Sequence, residues 1–102
     1  MYLIQILLPL NDNQGRPVAR ELFRAVAGEL TERFGGLTAH TRAPAEGLWT
    51  EDGEATSRDE IVIYEVMADE LDETWWREYR RGLEDRFRQE QVVVRAQEVR
   101  LL

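Results

Sequence analysis

The sequence predicts an α+β fold in which one four-stranded antiparallel sheet has both of its helices on the same face. Two segments, residues 19–34 and 71–87, repeat apolar residues at helical spacing. Each lies between segments rich in β-branched residues, so the order is strand, helix, strand, strand, helix, strand. The chain has 102 residues, the length of one domain, and we expect residues 1–102 to form a single domain.

The first half of the chain contains a strand and a helix with clear boundaries. The strand is predicted at residues 2–8 and ends at Pro9, which has no N–H to donate to a neighbouring strand. Pro17 suits the first turn of the following helix, where a backbone N–H is not needed. Gly35 suits the left-handed residue that follows the last turn of this helix.

The middle of the chain predicts two further strands. Residues 37–42 form the weaker one, and residues 43–60 are turn-rich, with Asp52-Gly53 as the predicted turn of a short extra hairpin. Residues 61–67 form the clearest strand of the chain because β-branched residues dominate them.

The second helix is predicted to begin at a capping aspartate, either Asp69 or Asp72. Its buried positions are Leu71, one of Trp75 and Trp76, Tyr79, Leu83 and Phe87. A last strand at residues 91–97 completes the split βαβ pattern of the ferredoxin-like fold, with the hairpin inserted between strands two and three.

The charge of the chain excludes several classes of partner. The net charge is −7, all 13 basic residues are arginines, and no basic stretch occurs, so we expect neither nucleic acid nor a membrane surface as a partner. Spacing on the helices predicts three ion pairs: Glu29–Arg33, Glu73–Arg77 and Glu84–Arg88. The chain has no cysteine, no apolar run that could span a bilayer and no pattern of a signal peptide, so a cytoplasmic location is expected.

The face of the sheet that the helices leave open is predicted to be mostly apolar. Period-two alternation turns Ile4, Ile6, Tyr64 and Val66 towards the helices. It leaves the following residues on the open face: Leu3, Leu7, Ile61, Ile63, Met67 and Val93. A small domain rarely leaves such a surface in water, so we expect a second copy of the chain, the inserted hairpin or a ligand to cover it. We favour a homodimer, as in the dimeric α+β barrel proteins.

Three polar residues interrupt this open face: Gln5, Glu65 and Arg95. The simplest interpretation is an ion pair between Glu65 and Arg95 across the sheet, and the functional one is a pocket in which all three bind a ligand. Apolar neighbours would raise the pKa of the Glu65 carboxyl and suit it as a general base, whereas a nearby arginine would lower it.

Two more residues are candidates for the site. His40 is the only histidine and has no acidic neighbour at ligand spacing, so we predict no metal site and favour a plain surface residue. His40 also joins Glu65 as an alternative acid–base candidate. Trp49 lies in the acidic residues 46–60, where it either folds over the open face as a lid that contacts a ligand or anchors the hairpin.

Three short segments resemble a group of small bacterial proteins that share a domain of unknown function. They are residues 33–38 (Arg-Phe-x-Gly-Leu-Thr), residues 47–49 (Gly-x-Trp) and residues 86–92 (Arg-Phe-x-Gln-Glu-x-Val). The resemblance implies the ferredoxin-like fold and no particular activity. One hypothesis is that Thr38, Trp49 and Gln89 of these segments converge on one cleft.

The sequence contains no recognisable pair of nucleophile and base, and it predicts no cofactor. The function we expect is therefore a homodimeric module for binding a small molecule or for regulation, with a pocket at the open sheet face. The alternative is a cofactor-independent enzyme, a monooxygenase or isomerase, of the kind that dimeric α+β barrels host. In that case Glu65 or His40 is the acid–base group, and Arg95 holds an anionic substrate.

Overall fold

The computed structural model describes residues 1–51 and 55–102, and the side chains of all of these except residues 42–59. The first half contains β1 (Tyr2–Pro9), α1 (Arg20–Phe34) and β2 (Thr38–Glu51). The second half contains β3 (Ala55–Ala68), α2 (Glu73–Phe87) and β4 (Val93–Glu98). The predicted turn at Asp52-Gly53 lies outside the described residues.

The four strands form one antiparallel sheet in the order β2-β3-β1-β4. This order, together with the two helices, is the ferredoxin-like arrangement, so the predicted fold class is confirmed. β1 lies in the centre of the sheet, where it pairs with β3 on one side and with β4 on the other. Every residue that β1 places on the open face therefore separates a residue of β3 from a residue of β4.

The extra hairpin is the continuation of β2 and β3 beyond the end of β1. Pairing between these two strands continues from Ala45↔Ile61 to Glu51↔Ala55, whereas β1 ends at Pro9, opposite Ile61. The extra hairpin is therefore confirmed, but the prediction that residues 43–60 are rich in turns was wrong, because Pro44 and Gly47 are tolerated in an edge strand that pairs on one side only. The register of β2 shifts between His40 and Ala45.

The hydrophobic core lies between the helices and one face of the sheet. β1 and β3 each contribute three buried residues: Ile4, Ile6 and Leu8, and Val62, Tyr64 and Val66. The helices and the connection before β4 supply the remaining residues: Val26, Leu30, Trp76, Leu83, Phe87 and Val92. Trp76 is therefore the core tryptophan of the second helix, while Trp75 is partly buried at its edge.

The residues that begin and end the two helices agree with the sequence predictions in part. Gly35 follows α1 with φ 80, in the left-handed conformation that its position predicted. Asp72, not Asp69, caps α2 and accepts a hydrogen bond from the N–H of Trp75 at 3.1 Å. Pro17 does not begin α1; it pairs with Asn11 in an isolated bridge, three residues before the helix starts.

The ion pairs on the helices differ from the spacing prediction in two of three cases. Glu73 and Arg77 form the expected pair at 3.2 Å. Glu29 instead bridges the helices: its carboxylate accepts hydrogen bonds from both terminal nitrogens of Arg86, at 2.9 and 3.1 Å, and from the Tyr79 hydroxyl at 2.8 Å. The Arg33 guanidinium lies over the ring of Trp75, 4.0 Å from its centroid.

Glu84 is the second exception. Its Oε2 atom accepts a hydrogen bond from the N–H of Val92 at 2.9 Å and lies 4.0 Å from Arg80 Nε. Arg88 cannot complete the predicted pair in helical geometry, because it is the left-handed residue (φ 52) that ends α2.

Two connections meet at the end of the sheet where β1 ends. The N–H of Asn13 donates to the Arg88 carbonyl at 3.0 Å, and Nε2 of Gln89 donates to the Asn11 carbonyl at 2.7 Å. The loop after β1 and the turn after α2 are therefore joined by two hydrogen bonds. Over the part of the chain that the structure describes, neither helix is long and apolar enough to cross a bilayer.

Candidate functional site

The register of the sheet aligns one polar residue from each of its four strands on the open face. Gln5 of β1 is paired with Glu65 of β3 and with Arg95 of β4, and Glu65 is in turn paired with Thr38 of β2. We call these four residues and the adjacent His40 the polar row. Three of the residues singled out from the sequence, Gln5, Glu65 and Arg95, thus lie side by side.

Hydrogen bonds connect the polar row across three strands. Arg95 Nε donates to Gln5 Oε1 at 2.7 Å, and Gln5 Nε2 donates to Glu65 Oε1 at 2.8 Å. The predicted ion pair between Glu65 and Arg95 was wrong, since β1 lies between the strands of these two residues and the Gln5 amide occupies the space. An amide suits this position because it accepts from a cation on one side and donates to an anion on the other.

His40 extends the row onto the edge strand β2. Its Nε2 atom is 3.4 Å from Glu65 Oε1, and its imidazole is 52% exposed. His40 is paired with Ile63, two residues from Glu65 on the same face, so it reaches the carboxylate diagonally. His40 is thus a surface residue of an edge strand, as predicted, but the expectation that it has no partner was wrong. The alternation that places His40 and Thr38 on one face was visible in the sequence, but the register that brings both beside Glu65 was not.

The pKa of Glu65 is lowered from its ordinary value, chiefly by the hydrogen bond from Gln5. Burial acts in the opposite direction, and the hydrogen bond and charge of His40 lower the pKa further. Of the two opposing effects considered from the sequence, lowering of the pKa dominates, and its main source is the Gln5 amide instead of an arginine. Glu65 is an ionised carboxylate at neutral pH, with 21% of its side chain exposed.

Apolar residues flank the polar row on both sides. One neighbouring row contains Leu7, Ile63 and Val93, and the other contains Leu3 and Met67, with the polar Gln97 at its end on β4. Met67 and Val93 are 49% and 42% exposed, whereas the other three apolar residues are half-buried. The open face is thus an apolar surface with a charged, hydrogen-bonded line through its middle, as the alternation of the strands predicted.

The remaining candidates do not join this row. The side chain of Trp49 and those of the acidic residues 46–59 lie outside the described residues. Thr38 lies in the polar row, whereas Gln89 bonds to Asn11 beyond the far end of β1, so these two do not share a cleft. In the described part of the chain, no three His, Asp or Glu side chains are placed to hold a metal ion.

Comparison with solved structures gives neighbours for the fold. A phage SAM lyase in complex with S-methyl-5'-thioadenosine matches with a TM-score of 0.61 and 18% identity, over 95% of this chain and 80% of that chain. A phage SAM lyase in its apo state matches with a TM-score of 0.55 and 18% identity, over 94% and 78%. At this identity the likeness extends to the fold alone.

No protein-family model matches the chain, and no curated protein matches it either. The resemblance of residues 33–38, 47–49 and 86–92 to a bacterial family therefore stays a prediction. In the structure these segments have local roles: the first contains the end of α1 and the last contains the end of α2.

Proposed function

We propose that this protein is a small-molecule-binding module that acts as a homodimer, with its ligand held between the two open sheet faces. One observation supports this function above the others: the hydrogen-bonded polar row crosses the centre of an otherwise apolar face. Pockets that bind small molecules combine these features, with apolar walls and a few polar groups that converge.

The charges of the row favour a ligand over simple packing between two copies. Arg95 forms its hydrogen bond with a neutral amide and makes no ion pair with a described residue. Glu65 is ionised, and its described partners are an amide and an imidazole. Burying such charges against a second apolar sheet costs free energy unless an opposite charge is buried with them. A ligand with its own charged groups supplies that opposite charge.

The apolar surroundings favour a second copy as the other wall of the pocket. Met67, Val93 and the half-buried residues beside them form a surface that a small monomer rarely leaves in water. Two sheets pack face to face about 10 Å apart. The open face of a second copy would form the opposite wall of the pocket, with the polar row of each copy facing the space between them.

The fold neighbours suggest which probes to use first. SAM has a positively charged sulfonium and a carboxylate in one molecule, which are opposite in sign to Glu65 and to Arg95 respectively. S-methyl-5'-thioadenosine, which one neighbour binds, has neither charge. The pair of compounds therefore tests whether the charges of the polar row matter, and small aromatic acids test for an anion alone.

The experiment is a thermal-shift and calorimetry series on the full chain, with Glu65→Gln as the variant and Glu32→Gln on the exposed surface of α1 as the control. We expect one probe to bind with a Kd of about 100 µM or better, and we expect Glu65→Gln alone to weaken it at least about tenfold. A probe that binds both variants equally, or no binding by any probe, contradicts the proposed pocket.

Sedimentation tests the assembly separately. We expect a dimer at micromolar concentration, and a monomer with and without ligand contradicts the homodimer.

The contact between His40 and Glu65 favours a second candidate, a cofactor-independent acid–base enzyme such as a monooxygenase or isomerase. An ionised carboxylate 3.4 Å from an imidazole nitrogen can hold that ring in one orientation. Histidine is the residue type that exchanges protons near neutral pH. In this function Arg95 holds an anionic substrate beside the pair.

The variant His40→Asn separates the two candidates. A binding module keeps its ligand affinity within about threefold in this variant, because the shape of the site and the Gln5–Glu65 bond remain. An enzyme converts the bound compound, as followed by chromatography, and loses that conversion when the imidazole is removed.

A further inference from the structure

A cavity of about 340 Å³ lies on the helix side of the sheet, between the first turns of α2 and the edge strand β4. Its apolar lining includes Ile4, Trp76 and Val94, of which the first two are almost completely buried. On the same side of β4, Ala96 has a short side chain and is exposed. The space is therefore a cleft with an apolar base that α2 does not fill.

The charged residues around the cleft are mostly cationic. Arg77, Arg80 and Arg95 line it, together with a single acid, Glu73. Glu73 is already paired with Arg77 at 3.2 Å. The guanidinium of Arg95 bonds to Gln5 on the other face of the sheet, so Arg80 is the one cation of this lining whose guanidinium is left to face the cleft without a hydrogen bond to a carboxylate of the described residues.

Arg80 presents one buried donor at the cleft, although its side chain as a whole is 35% exposed. Its Nε atom is buried and has no hydrogen-bond partner among the described residues. The nearest carboxylate oxygen, Glu84 Oε2, is 4.0 Å away and already accepts the N–H of Val92 at 2.9 Å. A buried donor without a partner costs about 1–3 kcal/mol, and in native structures it is commonly explained by an unseen water, ion or ligand.

We propose that the cleft between α2 and β4 binds a small carboxylic acid with an apolar body, and that Arg80 provides the counter-charge. The guanidinium group fits a carboxylate in a two-pronged geometry, and Trp76 with the aliphatic residues provides the apolar contact. The volume lies at the lower end of the range for ligand pockets, which suits one ring with a short acidic side chain. This site is on the opposite side of the sheet from the polar row, and the inference does not depend on the proposed function.

The test is an NMR titration of the full chain with phenylacetate, with its neutral amide phenylacetamide and with inorganic phosphate. The signals to follow are the indole N–H of Trp76 and the amide of Ala96. The variant is Arg80→Gln, and the matched control is Arg81→Gln, the next residue along, which is exposed and does not line the cleft. Arg80→Lys keeps the charge but loses the planar fork, so it tests geometry if the glutamine variant is poorly folded.

We expect phenylacetate to shift both signals with saturation below about 10 mM, and we expect Arg80→Gln to weaken this binding at least about tenfold. Arg81→Gln should leave the affinity within about twofold, and phenylacetamide should bind at least about tenfold more weakly than phenylacetate. No saturation, or equal affinity in Arg80→Gln and Arg81→Gln, overturns the proposal. Phosphate binding as tight as that of phenylacetate overturns the apolar part of the ligand class.

Discussion

Gln5 links Arg95 to Glu65 in the polar row. Replacing it with leucine tests whether these hydrogen bonds contribute to the stability of the protein. Its amide makes two hydrogen bonds, one from Arg95 at 2.7 Å and one to Glu65 at 2.8 Å. Both partners are charged, and a buried hydrogen bond of this kind contributes about 1.5–3 kcal/mol. Because Arg95 is exposed and Glu65 is 21% exposed, water replaces much of what is lost. We expect Gln5→Leu to lower the free energy of unfolding by about 1 kcal/mol at about pH 7.

The same substitution has a pH signature that simple packing does not produce. The Gln5 hydrogen bond is the main cause of the lowered pKa of Glu65, so removing it should raise that pKa towards 4.5. A carboxyl with a lowered pKa stabilises the fold above its unfolded pKa and loses this contribution as the pH falls through its folded pKa. The difference between wild type and Gln5→Leu should therefore shrink as the pH falls below about 4.5.

Urea denaturation at about pH 7 and about pH 3 measures this difference, and an NMR titration of the Glu65 carboxyl measures its pKa directly. Gln97→Leu is the matched control, since Gln97 lies opposite Leu3 and is exposed, and its side chain makes no hydrogen bond to the described part of the chain. A stability difference that is the same at both pH values, or an unchanged pKa of Glu65, would refute this account of the row.

Two further predictions concern the helices. Asp72→Ala removes the cap of α2 and should lower the free energy of unfolding by about 1 kcal/mol, as measured by thermal unfolding. The control Asp69→Ala should change it by less than about 0.5 kcal/mol. Equal losses in the two variants would mean that the cap hydrogen bond contributes nothing. Glu29→Gln breaks the bridge between the helices and should cost about 0.5–1 kcal/mol, less in high salt, with Glu32→Gln as the neutral control. Because its hydrogen bonds with Arg86 lower the pKa of Glu29, this cost should disappear in acid, and a cost that persists there would contradict the assignment.

The sequence was sufficient for the fold and for the composition of the open face. Helical spacing located both helices, and alternation assigned Gln5, Glu65 and Arg95 to the same side of the sheet, where the structure has them. These predictions succeed because each helix or strand buries one face, so its apolar residues repeat at the spacing of that element. This spacing can be read from a short stretch of sequence.

The contacts within the polar row depend on strand order and register, which are not local. The ferredoxin-like order alone already implied that β1 separates β3 from β4, so the direct ion pair could have been excluded. The contact of His40 with Glu65 could not be foreseen, because it depends on a diagonal pairing next to a register shift. The cleft beside Arg80 was also beyond prediction, since it depends on how closely α2 approaches β4.

The two hydrogen bonds between the loop after β1 and the turn after α2 have a consequence for how the molecule opens. The amide of Asn13 is protected only while the Arg88 carbonyl accepts it, and Gln89 holds the same two segments together. Neither segment can separate from the other without breaking both bonds. Hydrogen exchange at Asn13 should therefore slow or quicken together with exchange in the last turn of α2, as one cooperative unit. The loop that contains Asn13 and the turn that contains Arg88, 75 residues apart in the chain, then open and close together.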